Sequence, residues 1–445
     1  MKKILLVRSE KSSSWVSCNV IAENLLASYR LLGEEFAVEL LDLPESFDEN
    51  FVDQFEVIRD CAARVRKFKP DYFVFLDHLP LPPVILKLLL TVDPQMPLGD
   101  VIVHVYGDFT YYLEHWCEFF KGFEDFRRIK FVAASKSQAR MLTYLLGSHA
   151  SIIQGYFPVT SSFVFDEGVR RTARKAYRAT DEEKLLVYAG RISVQKNVDL
   201  LLRAFSELCD RSPEKKLRLL IAGHYDNVGC KFSSLEVFEG YQFQKIQETL
   251  AELSEGARAS IEFLGGLGRE DLNALYQAAD GFVSLSLYHD EDYGMAVAEA
   301  LAAGAPAVIS DWGGYSSFAA KDGRWSCDLV PVNFEKHEYS FSLSEALDRI
   351  GAALALSDAP EARLQRARAF VAEFDARNFS RILREIIFPA PVSSKICTSR
   401  ADRYLLISDY TVWEKGKEMY NHYFSPKELS LYNEIYSNYV GSERI

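Results

Sequence analysis

Residues 289–308 of this 445-residue chain read His289-Asp-Glu-Asp-Tyr-Gly-Met-Ala-Val-Ala-Glu-Ala-Leu-Ala-Ala-Gly-Ala-Pro-Ala-Val308. They follow the apolar run Gly281–Leu287, which predicts a strand, and they predict an acidic turn and a helix that ends at Gly304. The order strand, loop, helix N-terminus directs unpaired backbone N–H groups and the positive end of the helix dipole at one point, which is typical of an anion site. Gly294 lets the backbone approach a ligand without a Cβ in the way.

Glu291 and Glu299 place two carboxylates near this predicted helix N-terminus. They would repel a phosphate but would accept strong hydrogen bonds from neutral hydroxyls. A ligand that carries both phosphates and many hydroxyls is a nucleotide sugar. The alternative is an acidic loop that caps an alanine-rich core helix. Asp290-Glu-Asp292 also imitates a D-x-D metal site, but such a site needs a different sheet order, so we expect no metal ion.

Outward from this stretch, strand-like apolar runs alternate with helical patterns along the whole chain, which is typical of α/β units around parallel sheets. The strand candidates are Ile4–Val7, Ala37–Leu41, Tyr72–Leu76, Val101–Val105, Phe131–Ala134, Ser151–Ile153, Lys184–Ala189, Arg218–Ala222, Ser260–Leu264, Gly281–Leu287 and Ala307–Ile309. We predict two Rossmann-like domains facing a cleft, 1–165 and 181–375, with a charged interdomain crossing at 166–180. An aromatic-rich helical extension, 376–445, follows.

A second motif comes after the strand candidate that begins the second domain, and it reads Gly190-Arg-Ile-Ser-Val-Gln-Lys-Asn197. Asn197 is a predicted helix N-cap. Arg191 and Lys196 therefore lie on a strand-end loop at a helix start, where two positive charges and a helix dipole suit a diphosphate. Solvated surface charge is the alternative explanation for both side chains.

These motifs resemble those of a known family. Glu291 and Glu299 with seven residues between them, together with Gly294 and the run Glu-Ala-x-Ala-x-Gly-x-Pro, resemble the E-x7-E motif of retaining GT-B glycosyltransferases, in particular family 4 (glycosyltransferase group 1). The segment from Gly190 to Asn197 resembles the G-R-x4-K-N segment of the same family. The motifs themselves match over about residues 184–320. Before that range, only the alternation of strands and helices resembles the family. It also implies that the C-terminal extension crosses back to the first domain.

The resemblance implies transfer of a hexose-type sugar from a nucleoside diphosphate sugar to an acceptor hydroxyl, with retention and without a metal ion or other cofactor. Polysaccharide or envelope glycan synthesis is the expected setting. Arg191, Lys196 and the helix N-terminus at Met295-Ala296 would stabilise the departing diphosphate. Glu291 would hold sugar hydroxyls and Glu299 the ribose hydroxyls. The resemblance places the base against the backbone of Gly266 and Leu267, with Gly190 also at the donor.

The first half departs from the family pattern. Ser12-Ser-Ser-Trp15 stands where family members have a glycine pair, and Tyr106 stands at the position of their catalytic-site histidine. His104 lies two residues earlier on the same strand face and Asp108 two residues later, so we predict that His104, Tyr106 and Asp108 contribute to the catalytic site with Glu291. A buried structural histidine is the alternative for His104. These departures leave an alternative open, in which the protein binds nucleotide sugars but its catalysis has lapsed or changed.

Composition and missing motifs exclude other classes. A net charge of −12 disfavours nucleic acid, which is bound through a basic face. A dinucleotide dehydrogenase is disfavoured because G-x-G-x-x-G follows neither first strand. Scattered cysteines without a C-x-x-C pair indicate a reducing cytoplasm, and Met1–Arg8 predicts a strand and not a signal peptide.

We expect a cytoplasmic protein with at most peripheral membrane association, through Val84–Leu90, and an acceptor that is a glycan, a glycolipid or a small molecule. The oligomeric state stays open.

Overall fold

The computed structural model describes residues 1–10, 16–44, 51–77, 81–107, 109–110, 112–226, 240–287, 291–320, 322–335, 338–356, 359–392, 395–403, 405 and 433–440. Three of the features discussed above, Ser12–Ser14, Asp108 and His289–Asp290, lie outside these residues. No helix in the described ranges is both long and apolar enough to span a bilayer.

The chain forms two compact units. The first comprises Met1–Pro158 and Phe374–Asp409, and the second comprises Val159–Glu373 and Tyr410–Ile445. The predicted extension, 376–445, is therefore divided between the two units. Its helix Ala376–Ile382 packs against a helix of the first unit, Val16–Arg30.

The first unit is a six-stranded parallel sheet covered by helices. Strand order is β2-β1-β3-β4-β5-β6. The strands are β1 (Lys2–Ser9), β2 (Phe36–Leu43), β3 (Tyr72–Phe75), β4 (Asp100–Val105), β5 (Ile129–Ala133) and β6 (Ile152–Gln154), and the helices are α1 (Val16–Arg30), α2 (Phe51–Phe68), α3 (Pro82–Val92), α4 (Leu113–Gly122) and α5 (Lys136–Leu146). Strands covered on both faces read as continuous apolar runs, which is why the sequence predicts them directly.

The second unit repeats this plan. Its six-stranded parallel sheet has the order β12-β11-β10-β7-β8-β9. The helices are α6 (Glu167–Ala176), α7 (Val198–Arg211), α8 (Tyr241–Glu252), α9 (Glu255–Ala259), α10 (Arg269–Ala278), α11 (Met295–Ala302), α12 (Leu343–Leu354) and α13 (Pro360–Phe374). The strands are β7 (Glu183–Ala189), β8 (Lys216–Ala222), β9 (Ile261–Gly265), β10 (Gly281–Ser284), β11 (Ala307–Ser310) and β12 (Cys327–Val330), with a hairpin of β13 (Val332–Glu335) and β14 (Glu338–Phe341) beside them.

The segment 166–180, predicted as the interdomain crossing, contains helix α6 and belongs to the second unit. The Asp166 carboxylate caps the helix by accepting from the Val169 amide at 2.9 Å. Arg170 and Arg174 turn inward and bind the two carboxylate oxygens of Asp280 at 2.7 and 2.9 Å. The helix is thus fixed by buried ion pairs in place of an apolar face, and these two arginines do not form an exposed basic patch.

Candidate functional site

The topology of the second sheet identifies one ligand position. From β7 the chain moves outward through β8 to β9, whereas β10, β11 and β12 extend on the opposite side of β7. The order therefore reverses between the neighbouring strands β7 and β10. In open α/β sheets ligands bind at the carboxyl ends of the strands at such a switch point. The loop after β7 carries Arg191 and Lys196, and the loop after β10 carries Glu291.

The structure brings Lys196 and Glu291 into direct contact at this switch point. Lys196 ends a short 3-10 turn, Val194–Lys196, and its ammonium donates to a carboxylate oxygen of Glu291. The two side chains are only 13% and 9% exposed. Removing one member of a buried ion pair leaves the other charge uncompensated, at about 3–5 kcal/mol. The cation predicted for the diphosphate and the carboxylate predicted for sugar hydroxyls are therefore neighbours.

Asn197 does not cap α7 with its side chain, contrary to the prediction. The residue occupies the N-cap position in a left-handed conformation, φ 53°, and its side chain accepts no cap hydrogen bond. Its amide group instead donates to the Leu285 carbonyl at 2.8 Å, just after β10. The Leu287 amide donates to the Gln195 carbonyl at 3.2 Å. These bonds join the two site loops and hold Lys196 beside the acidic loop.

Arg191 has a carboxylate partner that the sequence did not identify. Its guanidinium binds Asp226 at 3.0 Å, with both side chains about a quarter or less exposed. The Tyr188 hydroxyl donates to the Arg191 carbonyl at 2.7 Å. A Cβ on Gly223 would lie 1.8 Å from the Gly190 carbonyl oxygen, so the loops after β7 and β8 meet only because residue 223 is glycine.

Gly266 and Leu267, predicted for base contact, follow β9 at the same edge of the sheet. A Cβ on Gly266 would lie 1.8 Å from the Nε2 atom of His224. The exposed His224 ring therefore lies against this backbone. The loop geometry at Gly266 depends on a side chain that the sequence did not single out.

Helix α11 begins as predicted. Its N-cap is Gly294 at φ 102°, which offers no side-chain acceptor to the first-turn amides of Met295 and Ala296. A Cβ on Gly294 would lie 2.4 Å from the Tyr315 ring. The Tyr315 hydroxyl shares a 2.8 Å hydrogen bond with Ser284, and burial together with the neighbouring Glu291 carboxylate raises the Tyr315 pKa well above its usual range. The helix start is thus uncapped by side chains, as an anion site requires.

Glu299 lies in the second turn of α11 and is buried. Burial raises its pKa from 4.5 to about 7, although the Tyr276 hydroxyl donates to the carboxyl group and the positive charge of Arg269 opposes the shift. A carboxyl group with this pKa exchanges its proton near neutrality. Both the charged and the protonated form of Glu299 are therefore populated near neutral pH.

His104 and Tyr106 lie in the core of the first unit. His104 Nε2 shares a 2.8 Å hydrogen bond with the Tyr29 hydroxyl, the ring packs near Phe379, and burial lowers its pKa to about 3. Tyr106 donates its hydroxyl to the Leu76 carbonyl at 2.5 Å. This environment is compatible with the buried structural histidine that the sequence left as an alternative. Both side chains are buried, and a contribution of either one to the catalytic site stays a prediction; Asp108 lies outside the described residues.

No group of three metal-binding side chains occurs in the parts of the chain that the structure describes. Within the acidic loop, Glu291 is paired with Lys196, and Asp292 accepts from the Tyr439 hydroxyl. Both described members of the D-x-D lookalike therefore have protein partners.

In comparison with known proteins, residues 169–329 match the model for glycosyl transferases group 1. Mannosylfructose-phosphate synthase of Agrobacterium fabrum is 31% identical over 159 residues, 36% of this chain and 30% of that protein. D-inositol 3-phosphate glycosyltransferase of Nocardia farcinica is 31% identical over 194 residues, 44% of this chain and 40% of that protein. The chain spans less than half the length of these curated relatives. The similarity supports a group 1 glycosyltransferase.

Among solved structures, Anabaena Alr3699/HepE in complex with UDP and glucose aligns with a TM-score of 0.60. The alignment covers 87% of this chain and 100% of that chain at 12% sequence identity. A likeness at this identity shows the fold. Together with the two parallel six-stranded sheets, it confirms the α/β GT-B fold of two Rossmann-like units.

Proposed function

We propose that the protein is a retaining glycosyltransferase that moves a hexose-type sugar from a nucleoside diphosphate sugar to an acceptor hydroxyl without a metal ion. The observation that carries this proposal is the contact between Lys196 and Glu291 at the switch point, beside the uncapped start of α11. The Lys196 ammonium can bind phosphate, the Glu291 carboxylate can accept from hydroxyls, and the first-turn amides of α11 can donate to phosphate. All three then act on one small region. A nucleotide sugar presents all three complementary groups.

In the proposed reaction, the bond between the anomeric carbon and the diphosphate oxygen breaks, and negative charge develops on the diphosphate. Lys196, Arg191 and the amides of Met295 and Ala296 stabilise that charge. The acceptor oxygen bonds the anomeric carbon on the face that the diphosphate leaves, and the acceptor proton passes to the departing diphosphate. Glu291 holds sugar hydroxyls and Glu299 the ribose hydroxyls.

A UDP-sugar is the first donor to test, because UDP and glucose occupy the structural neighbour Alr3699/HepE. The acceptor is proposed as a glycan, a glycolipid or a small molecule. The synthesis of polysaccharide or envelope glycan in the cytoplasm is the proposed setting.

The experiment is calorimetric titration with UDP of the wild type and of Arg191→Ala and Lys196→Ala variants. A charge-assisted hydrogen bond contributes about 1.5–3 kcal/mol, so each variant should bind about tenfold to a hundredfold more weakly. Lys215→Ala is the matched control, since Lys215 is exposed and lies before β8, at the opposite end of the sheet. Unchanged affinity in both site variants, with binding by the wild type, would remove the diphosphate assignment.

A second candidate function is donor binding with lapsed or altered catalysis. The observation that favours it is the burial of His104 and Tyr106, since His104 Nε2 bonds to the Tyr29 hydroxyl and the Tyr106 hydroxyl donates to the Leu76 carbonyl. Release of UDP from UDP-glucose in the presence of acceptor mixtures separates the two functions. Donor binding without any turnover would favour the second.

A further inference from the structure

The acidic loop that holds Glu291 has a partner far away in the sequence. The Tyr439 hydroxyl donates to a carboxylate oxygen of Asp292, across 147 positions. Tyr439 is fully buried and Asp292 is 3% exposed. A buried carboxylate is held in place by the donors around it, so this bond fixes the residue next to Glu291.

The segment 433–440, which we call the C-terminal clamp, is anchored on both sides of that bond. The Tyr439 ring packs on Trp312 with a centroid separation of 5.6 Å, and Val440 forms an antiparallel bridge with Trp312. Tyr436 packs edge-on against Tyr439 at 5.3 Å. Trp312 is fully buried. The clamp therefore uses aromatic burial to hold its position and one phenol to reach the acidic loop.

The residues after Trp312 complete the arrangement. The Gly314 amide donates to the Glu291 carbonyl at 2.7 Å. A Cβ on Gly313 would lie 2.3 Å from that same carbonyl oxygen and 2.8 Å from the Tyr439 ring. The backbone of Glu291 is thus fixed by Gly314, and the next side chain is fixed by the clamp. Both contacts are present in the loop conformation in which Glu291 meets Lys196.

We propose that the C-terminal clamp sets the position of the acidic loop, and that Tyr439 is a positioning residue for Glu291. The effect on catalysis rests on the proposed function, whereas the effect on the loop does not. Loss of the phenol leaves the Asp292 carboxylate buried with one donor fewer, which favours an opened loop. The amides of helix α11 and the loops at β7 keep their geometry, so the diphosphate contacts stay intact.

The test uses the full-length Tyr439→Phe variant, which keeps the aromatic ring and removes only the hydroxyl. Asn438→Ala is the matched control, because the Asn438 amide bonds to the carbonyls of Glu434 and Ile435 inside the clamp. Hydrogen–deuterium exchange of peptides covering 291–295 reports the loop directly. We expect exchange to rise about tenfold or more in Tyr439→Phe, from the loss of a bond to a charged group, and to stay unchanged in Asn438→Ala.

Ligand measurements on the same variants separate this proposal from the proposed function. UDP affinity should not fall in Tyr439→Phe, because the Lys196 ammonium keeps its place and loses only a competing carboxylate, while UDP release from UDP-glucose falls about tenfold. Faster loop exchange without any UDP binding by the wild type would uphold the clamp and reject the function. Equal exchange in wild type and Tyr439→Phe would overturn the clamp. If Tyr439→Phe unfolds globally, Asp292→Ala gives the same test from the other side of the bond, because it removes the acceptor of the phenol: loop exchange should again rise, and exchange equal to the wild type would overturn the clamp.

Discussion

Replacement of Glu299 by glutamine tests the electrostatics of the second glutamate of the E-x7-E pair. Between its ordinary pKa of 4.5 and its folded pKa of about 7, the folded chain keeps the Glu299 proton while the unfolded chain has released it. The folded state is therefore favoured at low pH, and its stability falls as the pH rises through this window and levels off above it. Moving the pKa this far disfavours the charged form by about 3 kcal/mol.

Glutamine has almost the same shape and carries no charge, so it removes this pH dependence. Relative to the wild type, the free energy of unfolding of Glu299→Gln should rise by up to about 3 kcal/mol between pH 5 and pH 8. For a unit of this size each kcal/mol shifts the melting temperature by about 2–4 °C. The variant should therefore melt about 6–12 °C above the wild type at pH 8 and close to it at pH 5.

Thermal unfolding of the second unit at the two pH values measures this difference. Glu270→Gln is the matched control, because Glu270 is exposed in the first turn of α10 and should give equal shifts at both pH values. The reasoning is refuted if Glu299→Gln changes the melting temperature by the same amount at pH 5 and pH 8. That outcome would mean that Glu299 is charged in the folded protein across the whole range.

Three further substitutions test the supports of the site. Asp226→Asn releases Arg191 from a partly exposed ion pair worth at most about 1 kcal/mol, so UDP should bind up to about fivefold more tightly by calorimetry; weaker binding would contradict this. Arg363→Met leaves the buried carbonyls of Tyr276, Ala279 and Ala303 without their guanidinium donor. At about 1–3 kcal/mol for each unsatisfied group, stability in thermal melts should fall by about 3 kcal/mol or more, whereas Arg368→Met, at an exposed position, should not lower it. Gly314→Ala places a Cβ 2.1 Å from the Asp292 carbonyl oxygen and should destabilise by about 1–3 kcal/mol, while Gly256→Ala, with no atom within 4 Å, should have no such effect.

The sequence predicts the strands well because central parallel strands are apolar along their whole length. All eleven strand candidates are strands in the structure. Helix α6 escaped prediction for the opposite reason. Its sequence, EGVRRTARKA, offers few apolar residues, and the helix is held by Arg170 and Arg174 on Asp280. Hydrophobic periodicity cannot report a helix that is buried through ion pairs.

The predicted site residues of the second unit are brought to one sheet edge because short motifs specify loops at strand ends. The same reasoning says less about His104. Strand alternation places His104 in β4 and Tyr106 directly after it on the same side of the sheet, but it does not say what covers that side. The cover includes Tyr29 on α1 and Phe379 on the helix Ala376–Ile382, which comes about 270 residues later. A contact between residues so far apart in the chain cannot be predicted from the sequence pattern around either residue.

The pairing of charges at the switch point explains how a chain of net charge −12 can present a site for an anion. Lys196 is neutralised by Glu291 and Arg191 by Asp226, so neither cation is buried without a partner in the free protein. In the proposed complex, the diphosphate replaces the carboxylates as partner of both cations, and sugar hydroxyls satisfy Glu291. Binding then exchanges one set of charge-assisted contacts for another and leaves no buried charge unpaired, provided that the ligand brings hydroxyls with its phosphates.

A free diphosphate satisfies only half of this exchange, because it takes Lys196 and leaves Glu291 buried beside a second anion. The arrangement therefore favours a whole nucleotide sugar over its leaving group, and this preference requires both Lys196 and Glu291.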